Sequence, residues 1–205
     1  MAKTAAIVLA GGAASRLGGV NKVALTGPDE RTVLARALAA CGDAAPIVVV
    51  GPQSVVQAAL PPGADVSITC EEPAGSGPAR AVAAGVAALA GGTPPDEVVV
   101  LAGDLPGAAT AVVMLRAAWA DQGRDGAIAV ASGRRQWLLG VYRFAALARA
   151  CAALPPQGGS ESMRFLLGAL ELAEVQIPDA AAADLDTWAD VERAGFAVAT
   201  SDGAG

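Results

Sequence analysis

Ala6-Ile7-Val8-Leu9-Ala10-Gly11-Gly12-Ala13-Ala14-Ser15-Arg16-Leu17-Gly18-Gly19-Val20-Asn21-Lys22 opens as a short apolar run and breaks into a glycine-rich loop that carries two cations, Arg16 and Lys22. The run Ala6 to Leu9 has the composition of a buried strand. Glycines let the backbone turn sharply and bring successive N–H groups close to anionic oxygens. Arg16 and Lys22 add full charges that backbone dipoles cannot supply. A strand leading into such a loop implies an α/β fold with a polyphosphate ligand at the strand's end.

The loop is not one of the commoner phosphate binders. A Walker A loop needs Gly-Lys followed by Ser or Thr, whereas Lys22 stands between Asn21 and Val23. A dinucleotide fingerprint needs G-x-G-x-x-G, and Gly11-Gly12 is followed by Ala13-Ala14-Ser15-Arg16.

Working outward, the remaining chain alternates apolar runs with alanine-rich helical segments. The strands expected are Ala5–Leu9, Ile47–Val50, Val66–Thr69, Val98–Leu101, Ala127–Ala131, Leu138–Tyr142 and Glu174–Ile177. Helical patterns cover Thr32–Ala40, Ser54–Leu60, Pro78–Ala90, Ala109–Ala120, Phe144–Ala152 and Glu161–Leu170. Strand then helix, repeated, with continuous rather than alternating apolar strands, indicates a mostly parallel sheet covered on both faces. In such sheets ligands bind beyond the carboxyl ends of the strands. That rule places the Gly11 loop and the segment after Leu101 on one edge.

At 205 residues the chain is long enough for one substantial core. No apolar stretch is long enough to span a bilayer, and the segment after Lys3 is a poor signal peptide, so a cytoplasmic location is expected. A net charge of −6 without a basic stripe argues against a nucleic-acid partner. Cys41, Cys70 and Cys151 read as reduced thiols rather than a disulfide framework. The chain has 0 histidines, which excludes Ser-His-Asp and Cys-His sites, His-ligated zinc and a His general base. Carboxylates, Lys, Arg, backbone N–H groups and a hard cation are what remain, and phosphoryl or nucleotidyl transfer asks for that set.

Asp104 follows the strand Val98–Leu101 in Ala102-Gly103-Asp104-Leu105-Pro106. A carboxylate there can face the Gly11 crevice and ligate Mg²⁺, which takes one or two carboxylates plus phosphate oxygens and water; the alternative is a turn or helix-cap Asp. In Asp184-Leu185-Asp186-Thr187, carboxylates at i and i+2 of an extended chain point the same way. They could complete a metal site with Asp104, Asp186 being the better candidate, or Asp186 or Thr187 could cap the helix running to Ala194. Glu71-Glu72-Pro73-Ala74-Gly75-Ser76-Gly77-Pro78 is a loop entering a helix. Glu71 could accept from a guanine edge or belong to a solvated acidic turn, while Gly77 needs only to lack a side chain. Arg134 and Arg135, in a connection between two strands, could grip an anionic acceptor or form a charged hairpin tip. Arg164 is a weaker candidate of the same kind. Trp119 reads as core, and Trp137 could meet a flat ligand.

Leu9-Ala10-Gly11-Gly12, Arg16, Gly18-Gly19 and Lys22 together, with Gly103-Asp104-Leu105-Pro106, resemble the signature of nucleotidyltransferases. Within these they look most like the MobA-like group, which includes the molybdenum cofactor guanylyltransferases. The likeness runs over residues 4 to 195. It implies a three-layer Rossmann-like nucleotidyltransferase fold, a domain over 1–196 and a flexible tail over 197–205. It further implies transfer of GMP from GTP to the phosphate of molybdopterin, with Mg²⁺ as cofactor. Arg16, Lys22 and Asp104 would be catalytic; Leu9, Ala10, Gly11, Gly12, Arg16, Lys22, Glu71 and Gly77 would bind nucleotide. Asp104 and Asp186 would hold the metal, and Arg134 and Arg135 the acceptor. A homo-oligomer or a delivery partner is compatible with this reading. Cytidylyl transfer to the same pterin, guanylyl transfer to a small acid such as phospholactate, and a non-catalytic nucleotide binder are the alternatives. Where the family commonly has Asp-Lys, this chain has Asn21-Lys22, which leaves the acceptor's identity open.

Overall fold

The computed structural model describes residues 2–11, 17–119, 123–155 and 161–198. One seven-stranded sheet, in the order β3-β2-β1-β4-β6-β5-β7, forms the centre. Its strands are β1 (Thr4–Leu9), β2 (Ile47–Val50), β3 (Ser67–Thr69), β4 (Glu97–Ala102), β5 (Gly126–Ala131), β6 (Arg134–Arg143) and β7 (Leu172–Gln176). Every strand expected from the apolar runs is present. β1 lies between β2 and β4 and pairs in parallel with both; it is buried along its whole length. This explains a sequence without polar alternation, because both faces of the strand are covered.

β6 is the one strand that runs against the rest, antiparallel to both β4 and β5. The reason is local. Ser132 and Gly133 alone separate β5 from β6, with φ of 49° and 70°, and a two-residue connection with both angles positive is a hairpin turn. A parallel neighbour would need a crossover of a dozen residues or more.

Two helical layers follow the strand alternation. Ala6, Val8, Val99 and Leu101 point into a core shared with α1 (Val33–Ala40), α2 (Gln53–Gln57) and α4 (Ala108–Trp119). Ile7, Leu9, Val98 and Val100 point the other way, against α3 (Pro78–Ala90), α5 (Phe144–Ala152) and α6 (Met163–Leu167). A third, smaller cluster lies apart from these two: Leu17, Leu25, Val33, Leu185, Val191 and Phe196. It joins the end of the glycine-rich loop to the last helix, α7 (Trp188–Arg193). Ala197, where the tail was expected to begin, exchanges two backbone hydrogen bonds with Thr26 at 2.8 and 2.9 Å. No helix among the described residues is long and apolar enough to cross a membrane.

Tyr142 is fully buried, and its ring lies over two glycines of the sheet. A Cβ on Gly126 would come within 2.7 Å of its Cδ1, and one on Gly140 within 2.3 Å of its hydroxyl and 2.9 Å of Ala127 O. The glycines make the room that the ring fills. We therefore expect Gly140→Ala to destabilise the protein by about 1–3 kcal/mol, the usual cost of overpacking, as read from the midpoint of urea unfolding; an unchanged midpoint would show that the ring moves aside without cost.

Candidate functional site

Three strand ends form the floor of the site. Beyond the parallel ladders, Ala10 N–H donates to Val50 O at 2.8 Å and Gly103 N–H to Leu9 O at 2.7 Å. These bonds bring the chains leaving β2, β1 and β4 side by side. A Cβ on Gly103 would stand 3.0 Å from Leu9 O, so this close approach favours glycine there. Asp104 thereby sits beside the start of the Gly11 loop, as the strand-end rule anticipates.

Over this floor opens a cavity of about 650 Å³ whose wall includes Leu9, Ala10, Gly11, Lys22, Glu71, Gly77 and Asp104. These seven expected residues therefore share one cavity. Gly12 and Arg16, the other two expected at the phosphates, lie outside the described residues. Gly77 has φ of 91° and precedes Pro78 at the start of α3. Its left-handed backbone suits glycine, and the proline fits the first helical turn because its missing N–H has no helical partner to lose.

The charged centre of the cavity is Lys22. Its Nζ is 2.5 Å from Asp186 Oδ1 and 3.9 Å from Asp104 Oδ2. Asp186 reaches it across 164 residues of sequence, and the third cluster explains how. Leu185 is 2 % exposed and packed into that cluster. Its neighbours Asp184 and Asp186 are exposed and half-buried, so the leucine enters the apolar cluster while the aspartates stay outside it. The helix cap falls on Thr187 rather than Asp186. Thr187 Oγ1 accepts from Asp190 N–H at 3.2 Å, and the Asp190 carboxylate accepts from Thr187 N–H at 3.0 Å, a capping box.

One ammonium thus faces several carboxylates. Burial raises the carboxyl of Asp104 above its ordinary range; Lys22 opposes this, and the charges of Asp184 and Asp186 add to it. Asp184 is raised by burial first and Asp186 second. Such a set carries more negative charge than Lys22 balances and is made of hard oxygen donors, which is the chemistry a hard divalent cation requires. Among the described residues no group of three His, Cys, Asp or Glu side chains is disposed to hold a metal by itself. Two carboxylates suffice for Mg²⁺ when phosphate oxygens and water complete its shell.

Other expected residues have different employment. Glu71 lines the cavity, yet its carboxylate accepts from Gly75 N–H at 3.0 Å within its own loop. Arg135 is paired with Glu174 of β7 at 2.7 Å and lies 5.6 Å from the centre of the Trp137 ring. Arg134 is exposed at the hairpin. Neither arginine joins the Lys22 centre in this structure, because the hairpin turn delivers them to the strand's first residues, where Arg135 meets β7. Arg164 is exposed on α6. Trp119, half-buried against the core, donates its indole N–H to Glu97 at 2.8 Å.

Sequence reasoning missed the third cluster and the bond from Asn21 Nδ2 to Val55 O at 2.9 Å. The apolar residues at 17, 25, 33, 185, 191 and 196 are scattered over separate loops and helices, with no periodicity to connect them. Because Leu185 anchors the two aspartates, we expect Leu185→Ala to cost about 2–3 kcal/mol in urea unfolding, toward the low end for leucine truncation. Unfolding at the wild-type midpoint would show that the cluster does not hold this segment.

Solved structures share the fold. Molybdopterin-guanine dinucleotide biosynthesis protein A from Archaeoglobus fulgidus aligns with a TM-score of 0.66 and 20% identity, over 93% of this chain and 96% of that one. A nucleotidyl transferase from Methanothermobacter thermautotrophicus gives 0.71 and 19%, over 94% and 96%. The 2-C-methyl-D-erythritol 4-phosphate cytidylyltransferase of Francisella tularensis gives 0.69 and 14%, over 94% and 98%. No curated protein matches the chain by sequence. The profile of the MobA-like NTP transferase domain, however, matches residues 6–175, and the chain belongs to that nucleotidyltransferase family.

Proposed function

We propose that this protein transfers GMP from GTP to the phosphate of molybdopterin, releasing pyrophosphate, with Mg²⁺ as cofactor. The observation that carries the reading is Lys22 held between Asp104 and Asp186 at the floor of a cavity that the Gly11 segment also lines. Guanine as the base and molybdopterin as the acceptor rest on the resemblance of the Leu9–Lys22 motif and on the name of the Archaeoglobus fulgidus neighbour.

In this reading an oxygen of the acceptor phosphate attacks the α-phosphorus of the nucleotide, and the bond from that phosphorus to the β-phosphate oxygen breaks. The acceptor oxygen is already anionic near neutral pH, so a chain without histidine lacks nothing for the attack. Backbone N–H groups at Gly11 and Gly12 hold the phosphates, Arg16 neutralises the departing pyrophosphate, and Lys22 meets the charge that builds at the α-phosphate. Asp104 and Asp186 would hold Mg²⁺, which supplies charge neutralisation on the polyphosphate when bound. The Glu71 loop, which lines the cavity, is assigned to the base, and Arg134 and Arg135 to the acceptor.

The test is a melting-temperature panel with GTP, CTP, UTP and ATP, each with and without Mg²⁺, followed by pyrophosphate release with molybdopterin. Ligand at about 100 times its dissociation constant adds roughly 2.7 kcal/mol, a readily measured shift. A Mg²⁺-dependent shift with GTP, and pyrophosphate released only when molybdopterin is added, is the expected outcome. A shift with CTP alone would assign the cytidylyl reaction of the Francisella tularensis relative's class, and no shift at all would end the proposal. Asp104→Asn should slow pyrophosphate release by about 100-fold or more, the scale of losing a preorganised charge; wild-type rates in that variant would remove Asp104 from the mechanism.

A further inference from the structure

Asn21 does something that its position does not ask of it. It stands at the N-cap of the 3₁₀ turn Lys22–Ala24, where an asparagine ordinarily accepts from a backbone N–H further on, yet its side chain makes no capping bond. Its Nδ2 donates instead to Val55 O of α2 at 2.9 Å. The partner fixes which end of the amide faces α2, since only the NH₂ end can donate to a carbonyl.

Val55 O has use for that donor. The N–H of Ala58 goes to Ser54 O and Val56 O, and that of Ala59 to Val56 O, so neither of the donors one turn ahead serves Val55. Helix ends leave such carbonyls without internal partners, and α2 is only 5 residues long. One hydrogen bond therefore completes α2 and fastens the turn bearing Lys22 to it. Asn21, Lys22, Pro52 and Val55 are adjoining parts of the cavity wall.

Resting on the nucleotidyltransferase reading above, we propose that Asn21 is a positioning residue: its amide, tethered to Val55 O, sets where Lys22 presents its ammonium to the nucleotide. The structure gives a reason for an amide here rather than a carboxylate. An aspartate at position 21 would turn an acceptor toward the Val55 carbonyl, with no proton between the two oxygens. It would also add a negative charge next to Lys22, which Asp104 and Asp186 already attract. The Asn21-Lys22 pair thus couples α2 to the charged centre.

A double-mutant cycle on the full chain tests this. The kcat, KM for the Mg-nucleotide and melting temperature are measured for wild type, Asn21→Asp, Lys22→Ala and the double variant, with Asn21→Ala as a second, uncharged replacement. Asn21→Asp should lower kcat by about 10- to 100-fold, the scale of a misplaced reacting group, with KM changed far less. In the Lys22→Ala background neither replacement at position 21 should lower kcat further, because the group it positions is gone. Equal losses in both backgrounds, or a wild-type kcat in both single replacements at position 21, would overturn the role of Asn21 while leaving the enzyme reading intact. A wild-type chain that turns over no nucleotide would overturn the enzyme reading and the positioning role together.

Discussion

The site depends on how closely β4 is allowed to approach the end of β1. Parallel strands are held by their ladders, but ladders alone do not bring the loops beyond them into contact. Here the pairing is carried one step past the strand ends, through Gly103 N–H to Leu9 O and Ala10 N–H to Val50 O. The first of these bonds brings Gly103 so close to Leu9 O that a side chain would stand 3.0 Å from that oxygen. Because the chain passes that point without a side chain, Asp104 emerges beside the Gly11 segment, and both line the same cavity. A larger residue at position 103 would push the chain away from Leu9 O and strain this junction.

Much of this architecture is legible in the residues. Continuous valine and isoleucine runs mark strands covered on both faces, and β1, β2 and β4 lie where the runs place them. Gly103-Asp104 at the end of one run, and Gly11 at the end of another, locate the edge. What the chain does not announce is contact between distant segments that share no pattern. Leu17, Leu25 and Leu185 look like ordinary loop leucines until the fold packs them together. The choice between Asp186 and Thr187 as the helix cap was open for the same reason, since both residue types cap helices well. Asp190 three residues after Thr187 was the available clue. The arginines of the hairpin were legible as charges but not as partners, because Glu174 reaches Arg135 only through β7's place beside β5.

Among the described residues, the carboxylates at the centre outnumber its one ammonium. Lys22 stands nearer Asp186 than Asp104, and burial holds the carboxyl of Asp104 above its ordinary range. A protein interior ordinarily matches charges that it takes from water. Among the described residues the surplus lies on the carboxylate side, at the floor of a cavity that can admit a compensating ligand.

Asp186 lies 164 residues beyond Lys22, and all seven strands precede it in the chain. Synthesis proceeds from the N-terminus, and folding can follow it. Every strand, cavity floor included, can therefore be in place before the segment bearing Leu185 packs into its cluster. Until that segment docks, Lys22 lacks the nearer of its two carboxylates. The charged centre is thus completed only after the sheet, when the segment around Leu185 docks and brings Asp186 to Lys22.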